Sequence, residues 1–245
     1  MSAILYHMPY FVSSVVANLI GELGISEKVQ VKIIGFDNLK DEFHLAKHPQ
    51  GKVPFYIEVE DDFTMIESSA IFLYLLEKHD TEKKLSNWKD AKERGQFYQF
   101  LLNCPCQIYP NLAQLFYQFL NEKGSPMRDE NLITKNLNAW HFEIAPFLVK
   151  YLGDKPYFFG DQFTAVDILL GYQMVLAELV GQLKDYPTLV AYLLRLRERP
   201  AFTNIYNEAN KIYLPDMTKY SVAIQRKIQR EEKLASEKGL DYKFA

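Results

Sequence analysis

Val53-Pro54 and, thirteen residues after the proline, Glu67-Ser68-Ser69-Ala70-Ile71 are the stretches whose residue types could hold a small peptide. Val53-Pro54 closes a polar loop, His48-Pro49-Gln50-Gly51-Lys52, and opens an apolar run, Phe55-Tyr56-Ile57-Glu58-Val59. The run predicts a strand, and a proline that cannot donate to a ladder belongs at its first residue or on an edge. An X-Pro bond is also the common site of a cis peptide. A cis turn here would leave the Val53 N–H and C=O unpaired and facing outward, free to pair with a peptide-like ligand. Glu67-Ser68 falls between a short strand, Thr64-Met65-Ile66, and an apolar helix, Ala70 to His79. A helix start offers free N–H groups and partial positive charge, hence a carboxylate site. Ser68 adds a hydroxyl donor, and Glu67 an acceptor for an ammonium group.

Other reactive side chains point elsewhere. His44 and His48 have a metal-compatible i,i+4 spacing, but no acidic or cysteine partner completes a set. They read as exposed helix-end histidines. Cys104-Pro105-Cys106 lacks the Cys-x-x-Cys redox spacing. It reads as small residues at a helix kink, with a redox-sensitive pair as the sharper alternative. No Gly-rich phosphate loop and no Ser-His-Asp spacing occurs, and no metal is expected.

The elements that must position these groups follow from periodicity. Residues 3 to 79 alternate strand and helix: a strand at Ala3 to Tyr6, then a helix capped by Ser13 or Ser14. That helix carries Val15, Val16, Leu19, Ile20 and Leu23 at helical spacing and stops at Gly24. Val29 to Ile34 is a second strand. Asp41 to Lys47 is a short helix or turn, and the Val53-Pro54 strand, the Thr64 strand and the closing helix follow. Helices on both faces of a small mixed sheet are expected. Residues 80 to 89 are polar and read as a linker. Beyond Lys89 the pattern is helical throughout. One long helix runs from Asp90 to Asn121, bent near Pro105 and Pro110, and a second from Asn131 to Leu152. Thr164 with Asp167 has capping-box spacing, and Phe163 is placed to staple onto Ile168. The helix behind carries Ile168, Leu169, Tyr172, Val175, Leu176, Leu179 and Val180 around much of its circumference and so should be central and buried. Pro187 opens a further helix, Arg199-Pro200 closes it, and Ala201 to Lys211 forms one more. The tail, Tyr213 to Ala245, holds a charged segment from Gln225 to Lys238, read as a solvated helix or frayed end, or as a lid.

Composition restricts the function classes. The 245 residues are 48% hydrophobic and 24% charged, enough for a core in one large or two small domains. A net charge of −3 carries no nucleic-acid footprint. No apolar run approaches the ~18 residues of a membrane span, and Met1 to Ile4 lacks the basic start of a secretory signal. Two cysteines make no disulfide framework, so a reducing, cytoplasmic setting is expected. The 16 Tyr and 17 Phe mostly supply core, with some left to line an apolar cleft.

In order and spacing, these motifs resemble the cytosolic glutathione S-transferase superfamily over about residues 3 to 211. His48-Pro49-Gln50-Gly51-Lys52-Val53-Pro54 resembles its Asn-Pro-x-Gly-x-Val-Pro, and Glu67-Ser68-Ser69-Ala70-Ile71 its Glu-Ser-x-Ala-Ile. Gly160 to Asp167 resembles the Gly-Asp-x-x-Ser/Thr-x-x-Asp box of its helical domain, and Tyr186-Pro187 and Arg199-Pro200-Ala201 match its later punctuation. The resemblance implies a thioredoxin-like N-terminal domain (residues 1–80) that binds glutathione. An all-helical C-terminal domain (residues 90–245) would carry the electrophile cleft, and the protein would be a homodimer.

The resemblance also implies roles. Val53, with Pro54, would pair with the cysteinyl backbone of glutathione. Glu67 and Ser68 would hold its γ-glutamyl end, and Lys52 or Lys40 its glycyl carboxylate. Ser13 aligns with the serine that stabilises the thiolate in serine- and cysteine-using classes, while Val12 stands where the cysteine would be. Ser14 or Tyr6 is the alternative donor. Tyr10, Phe11 and Tyr109 would face a hydrophobic electrophile, with Phe116 and Tyr117 as further wall candidates. The implied activity is conjugation of the glutathione thiolate to hydrophobic electrophiles. The competing readings are a non-catalytic docking domain of the same fold and a specialised glutathione-dependent isomerase, dehalogenase or lyase.

Overall fold

The computed structural model describes residues 2–121, 123–207, 209 and 237. Strands β1 (Ala3–His7), β2 (Val29–Ile33), β3 (Phe55–Glu58) and β4 (Phe63–Ile66) form one mixed sheet in the order β2-β1-β3-β4. The β1–β2 pair is parallel because helix α1 (Ser14–Glu22) crosses between its strands. The β1–β3 and β3–β4 pairs are antiparallel. Gly24, at φ +66°, stops the α1 segment as its residue type suggests. A 3-10 turn (Phe36–Lys40) leads to α2 (Glu42–Lys47), capped by the Asp41 carboxylate, which accepts the His44 N–H at 2.7 Å. Helix α3 (Ser68–His79) closes this half and packs against α1.

Residues 80–89 are not the open linker that their polarity suggests. The buried Asp80 carboxylate accepts the N–H groups of Lys84, Leu85 and Ser86 and the Ser86 hydroxyl, at 2.7 to 3.0 Å. Four donors replace the water that the charged composition seemed to require. The segment thereby docks onto the helical half, where Leu85 O accepts the Ala165 N–H at 2.9 Å.

The bend expected near Pro105 is a π-helical turn, Cys104–Ile108, between α4 (Ala91–Asn103) and α5 (Tyr109–Phe119). A proline inside a helix removes a donor and crowds the preceding turn, and widening the turn relieves both. A second π turn, Trp140–Ile144, divides the expected single helix into α6 (Glu130–Ala139) and α7 (Ala145–Leu152). Pro146, in the first turn of α7, gives the same physical reason, which the apolar period alone concealed.

Helix α8 (Ala165–Leu179) is the central element, buried from Ala165 to Ala177. Its capping box forms, with the Thr164 N–H donating to Asp167 Oδ2 at 2.8 Å. Asp167 also accepts from the Phe158 N–H at 3.0 Å and the Tyr192 hydroxyl at 2.9 Å, while burial pushes its carboxyl pKa upward. Phe163 carries the Arg199 guanidinium 3.6 Å above its ring. Helices α9 (Pro187–Leu196) and α10 (Pro200–Ile205) complete the described fold. The far end of the expected Ala201 to Lys211 helix, and the charged tail apart from Glu237, lie outside the described residues.

The two halves are joined through α1, which packs on α8 and α10. Gly21 permits the approach: a Cβ there would stand 3.0 Å from the Ala201 Cβ. Arg199 reaches across to Glu22 in a two-pronged ion pair, its Nε 2.8 Å from Oε1. Among the described residues, no helix is long and apolar enough to cross a membrane.

Candidate functional site

Sheet register brings three chain segments to one end of the sheet. Tyr6 pairs with Phe55, and Phe55 pairs with Ile66. The turn leaving β1 toward α1, the Val53-Pro54 turn entering β3 and the Glu67-Ser68 start of α3 therefore share that edge. Residues separated by more than fifty positions in sequence become neighbours through two rows of ladder bonds.

The Val53-Pro54 peptide is cis. Among the described residues, neither the N–H nor the C=O of Val53 has a hydrogen-bond partner. The preceding loop is braced from behind. Gly51, at φ +61°, donates its N–H to His48 O at 2.8 Å, and Lys40 Nζ donates to Gln50 O at 3.3 Å. The His44 ring Nε2 lies 2.8 Å from Lys52 O, so it donates there. A Cβ on Gly51 would fall 2.5 Å from Leu39 O, which makes glycine obligatory both for φ and for space. His44 and His48 are therefore not the exposed helix-end histidines expected but buried braces of the loop, their rings stacked 6.2 Å apart. Burial lowers the His48 pKa, helped by the nearby charges of His44 and Lys52 and opposed by Glu67. Lys52 and Glu67 thus act electrostatically on the same buried ring.

Glu67 is exposed and sits at φ +72°, a conformation rare for a residue with a Cβ. Its own carboxylate does not cap α3, and its C=O accepts the Ile71 N–H at 3.0 Å. The carboxylate is left free at the surface beside Ser68 and the open first turn of a twelve-residue helix. Acceptor, hydroxyl and helix N-terminus at one point suit a group bearing both an ammonium and a carboxylate. Lys40 and Lys52 are exposed at the rim.

The third segment departs from expectation. Ser13 is fully buried, and its Oγ lies 2.8 Å from His7 Nδ1, 3.1 Å from Met8 O and 3.1 Å from the Met8 N. One hydroxyl proton and two lone pairs are saturated when the proton goes to Met8 O and Nδ1 carries the ring proton of His7. Burial holds His7 neutral, lowering its pKa to about 4. Ser13 also makes no side-chain cap bond, because its backbone is helical (φ −60°, ψ −19°) and not extended as a capping residue requires. The hydroxyl therefore stitches β1 to α1 from inside. Ser14 and Tyr6 are buried as well. Two main-chain donors at the start of α1 have no acceptor among the described residues, the N–H groups of half-buried Val12 and fully buried Ser13, and of these only Val12 lies partly open.

Tyr10 is likewise turned inward, 7% exposed and in contact with the helical half, so it fills core and does not line a wall. Phe11 is half-buried and lies edge-on to Phe36 and Phe116. Tyr109 is half-buried 6.1 Å from Tyr172, with its phenol pKa raised by burial. Cys104 is buried and Cys106 exposed, so the pair does not share an environment. Cavities of about 450 and 620 Å³ lie elsewhere, one beside Trp88 and Arg94 and one beside Phe147 and Tyr151. The supporting residues that sequence reasoning missed are His7 and, as a brace, His44. No pattern marks His7, which sits at the end of an ordinary apolar strand.

Comparison with known proteins agrees with this geometry. Residues 5–83 match the model of the glutathione S-transferase N-terminal domain, and residues 128–200 that of the C-terminal domain. Glutathione S-transferase 1 of Schizosaccharomyces pombe is 26% identical over 222 residues, spanning 80% of this chain and 91% of its own. Maleylacetoacetate isomerase of Pseudomonas aeruginosa is 28% identical over 144 residues, 58% of this chain and 64% of its own. The crystal structure of a glutathione transferase family member from Pseudomonas fluorescens, with two glutathione bound, superposes with a TM-score of 0.70 at 22% identity. It covers 83% of this chain and 92% of that one.

Proposed function

This chain belongs to the glutathione S-transferase superfamily, and from that premise we propose that it is a glutathione transferase acting on hydrophobic electrophiles. The observation that carries the reading is the unpaired Val53 main chain at the sheet edge shared with Glu67, Ser68 and the open start of α1. Val53 pairs with the cysteinyl backbone of glutathione, with Pro54 fixing the turn. Glu67 takes the ammonium of the γ-glutamyl end, while Ser68 and the first turn of α3 take its carboxylate. Lys40 or Lys52 neutralises the glycyl carboxylate.

The thiol then lies at the start of α1. A free thiol has a pKa of about 8.5, and a helix N-terminus lowers it. The N–H group of half-buried Val12 holds the thiolate, and the buried Ser13 hydroxyl positions it by tying β1 to the helix. The thiol proton leaves to solvent. Sulfur forms a bond to the electrophilic carbon, and the leaving group departs with its electron pair. In an addition, a proton ends on the acceptor and nothing leaves. Placing the two reactants side by side is the main source of rate. Tyr109 and Phe11 face the electrophile.

We assign the protein to the cytoplasm as a homodimer. A glutathione-binding protein without transferase activity is the second reading, favoured by the occupied Ser13 hydroxyl and by the Phe11 ring packed between Phe36 and Phe116. Isomerase or lyase chemistry uses the same glutathione site.

The test is calorimetric titration with reduced glutathione. Binding in the micromolar to low-millimolar range, weakened at least about tenfold in Glu67→Ala, is expected, the loss being that of a charge-assisted hydrogen bond. No binding to the unaltered protein at millimolar glutathione refutes the reading.

A further inference from the structure

Val53 can pair with a peptide only if its N–H faces the open edge, and the direction of that N–H is decided one residue earlier. The Lys52 C=O and the Val53 N–H belong to one peptide plane, which is trans. In a trans peptide the two groups point in opposite directions. Whatever holds the oxygen therefore aims the hydrogen. His44 holds the oxygen, with its Nε2 2.8 Å from Lys52 O. A carbonyl only accepts, so Nε2 carries the proton of this bond in either charge state of the ring.

The imidazole is itself fixed from several sides. His44 is 2% exposed, and its ring stands edge-on to Phe55, with centroids 4.8 Å apart at 88°. Phe55 is in turn stacked at 4.1 Å on Tyr6 of β1. The His44 N–H donates to the Asp41 carboxylate at 2.7 Å, and His44 O accepts the His48 N–H at 2.7 Å. A buried ring packed on the sheet does not turn freely, so the donor reaches Lys52 O from a fixed place. Among the described residues, Lys52 O has no other donor. Lys52 is exposed and Val53 only half-buried, so little else restrains the plane between them.

We infer that His44 is a positioning residue of the peptide site, turning the Val53 N–H toward the bound ligand without touching the ligand itself. The inference rests on the glutathione reading above and adds to it the group that selects one face of the Lys52–Val53 peptide. Loss of the donor frees the plane to turn over. A turned plane presents an oxygen where the ligand carbonyl needs a hydrogen, so two acceptors face each other and the contact is lost. The γ-glutamyl contacts at Glu67 and Ser68 belong to another segment and stay in place.

The test is calorimetric titration of the full chain and of His44→Gln, His44→Phe and His44→Asn with reduced glutathione, read together with the amide NMR signals of Val53 and Ser68 at saturating glutathione. The glutamine amide nitrogen reaches where Nε2 stands, phenylalanine fills the space without a donor, and the asparagine amide is too short. Glutathione is expected to bind His44→Phe and His44→Asn about tenfold more weakly, the scale of one lost hydrogen bond, and His44→Gln nearly as tightly as the unaltered protein. The Val53 amide proton moves downfield on binding in the unaltered protein and in His44→Gln but not in the other two, whereas the Ser68 amide moves in all four. His44→Asn serves alone if the phenylalanine variant does not fold. Affinity and Val53 signal both unchanged without the donor overturn the assignment and leave the glutathione site standing. Loss of the Val53 and Ser68 signals together also overturns it, since that marks a collapse of the whole site. No binding of glutathione to the unaltered protein overturns the glutathione reading, and this inference with it.

Discussion

Ser13→Ala separates two accounts of how this fold handles a thiolate. The hydroxyl is wholly buried and serves three groups at 2.8 to 3.1 Å: His7 Nδ1, the Met8 N–H and Met8 O. Its removal strands all three in the interior. Each buried polar group left unpaired costs about 1–3 kcal/mol. The space vacated by one oxygen is smaller than a water needs, so solvent does not replace it. The three losses overlap, because His7 and Met8 can shift together, and a destabilisation of roughly 3–5 kcal/mol is the expected sum. In a chain of this size that lowers Tm by roughly 10 °C. Urea unfolding of the unaltered and Ser13→Ala proteins measures it, and ultraviolet titration of bound glutathione measures the thiol pKa. With a main-chain donor holding the sulfur, that pKa rises by less than about one unit in the variant. Stability within about 1 kcal/mol of the unaltered protein, together with a thiol pKa raised by clearly more than one unit, would refute the inward stitch. It would return the hydroxyl to the sulfur.

Two further outcomes follow from buried charge. His7 has a folded pKa near 4 against 6.5 for the free group, so the unfolded chain binds the extra proton between those values. Stability therefore falls as pH drops from 6.5 toward 4, by about 3 kcal/mol in all at 1.36 kcal/mol per unit. Denaturant midpoints across that window should show this slope and lose one proton of it in His7→Asn; an equal slope in both excludes His7 as its source. Arg199→Met leaves the Glu22 carboxylate, 7% exposed, without its partner at the junction of α1 and α10. A loss of roughly 2–4 kcal/mol is expected by urea unfolding, from stranding a mostly buried charge. Arg199 is itself 31% exposed, and a loss under about 1 kcal/mol would mean that solvent reaches Glu22 freely.

Much of the fold was legible because its signals are local. The alternating run at Phe55, the helical spacing from Val15 to Leu23 and the Thr164–Asp167 cap each depend on residues within a turn or two of one another. The kink near Pro105 was legible for the same reason, since a missing N–H acts where it stands. The second π turn at Trp140–Ile144 was not, although Pro146 follows it, because the apolar period continues through the break. The tether of residues 80–89 was hidden in another way. Asp80 and Ser86 look solvated by composition, and only the folded loop turns four donors onto one carboxylate.

The site divides along the same line. By itself, the sequence determined which groups are available: a proline-led strand at Val53, an acidic residue at a helix start at Glu67, and a helix opening near Ser13. Those are properties of residue type and short spacing. Only the tertiary structure decided that they share one end of a sheet, because ladder register joins segments fifty residues apart and no local pattern encodes it. It also decided which way neighbouring side chains point. Ser13 turns inward onto His7 and Met8, Tyr10 is held into the core by Tyr172 and Asn207, and Phe11 is left between the two halves. The direction of a side chain depends on the partners packed around it, and those partners come from the other end of the chain.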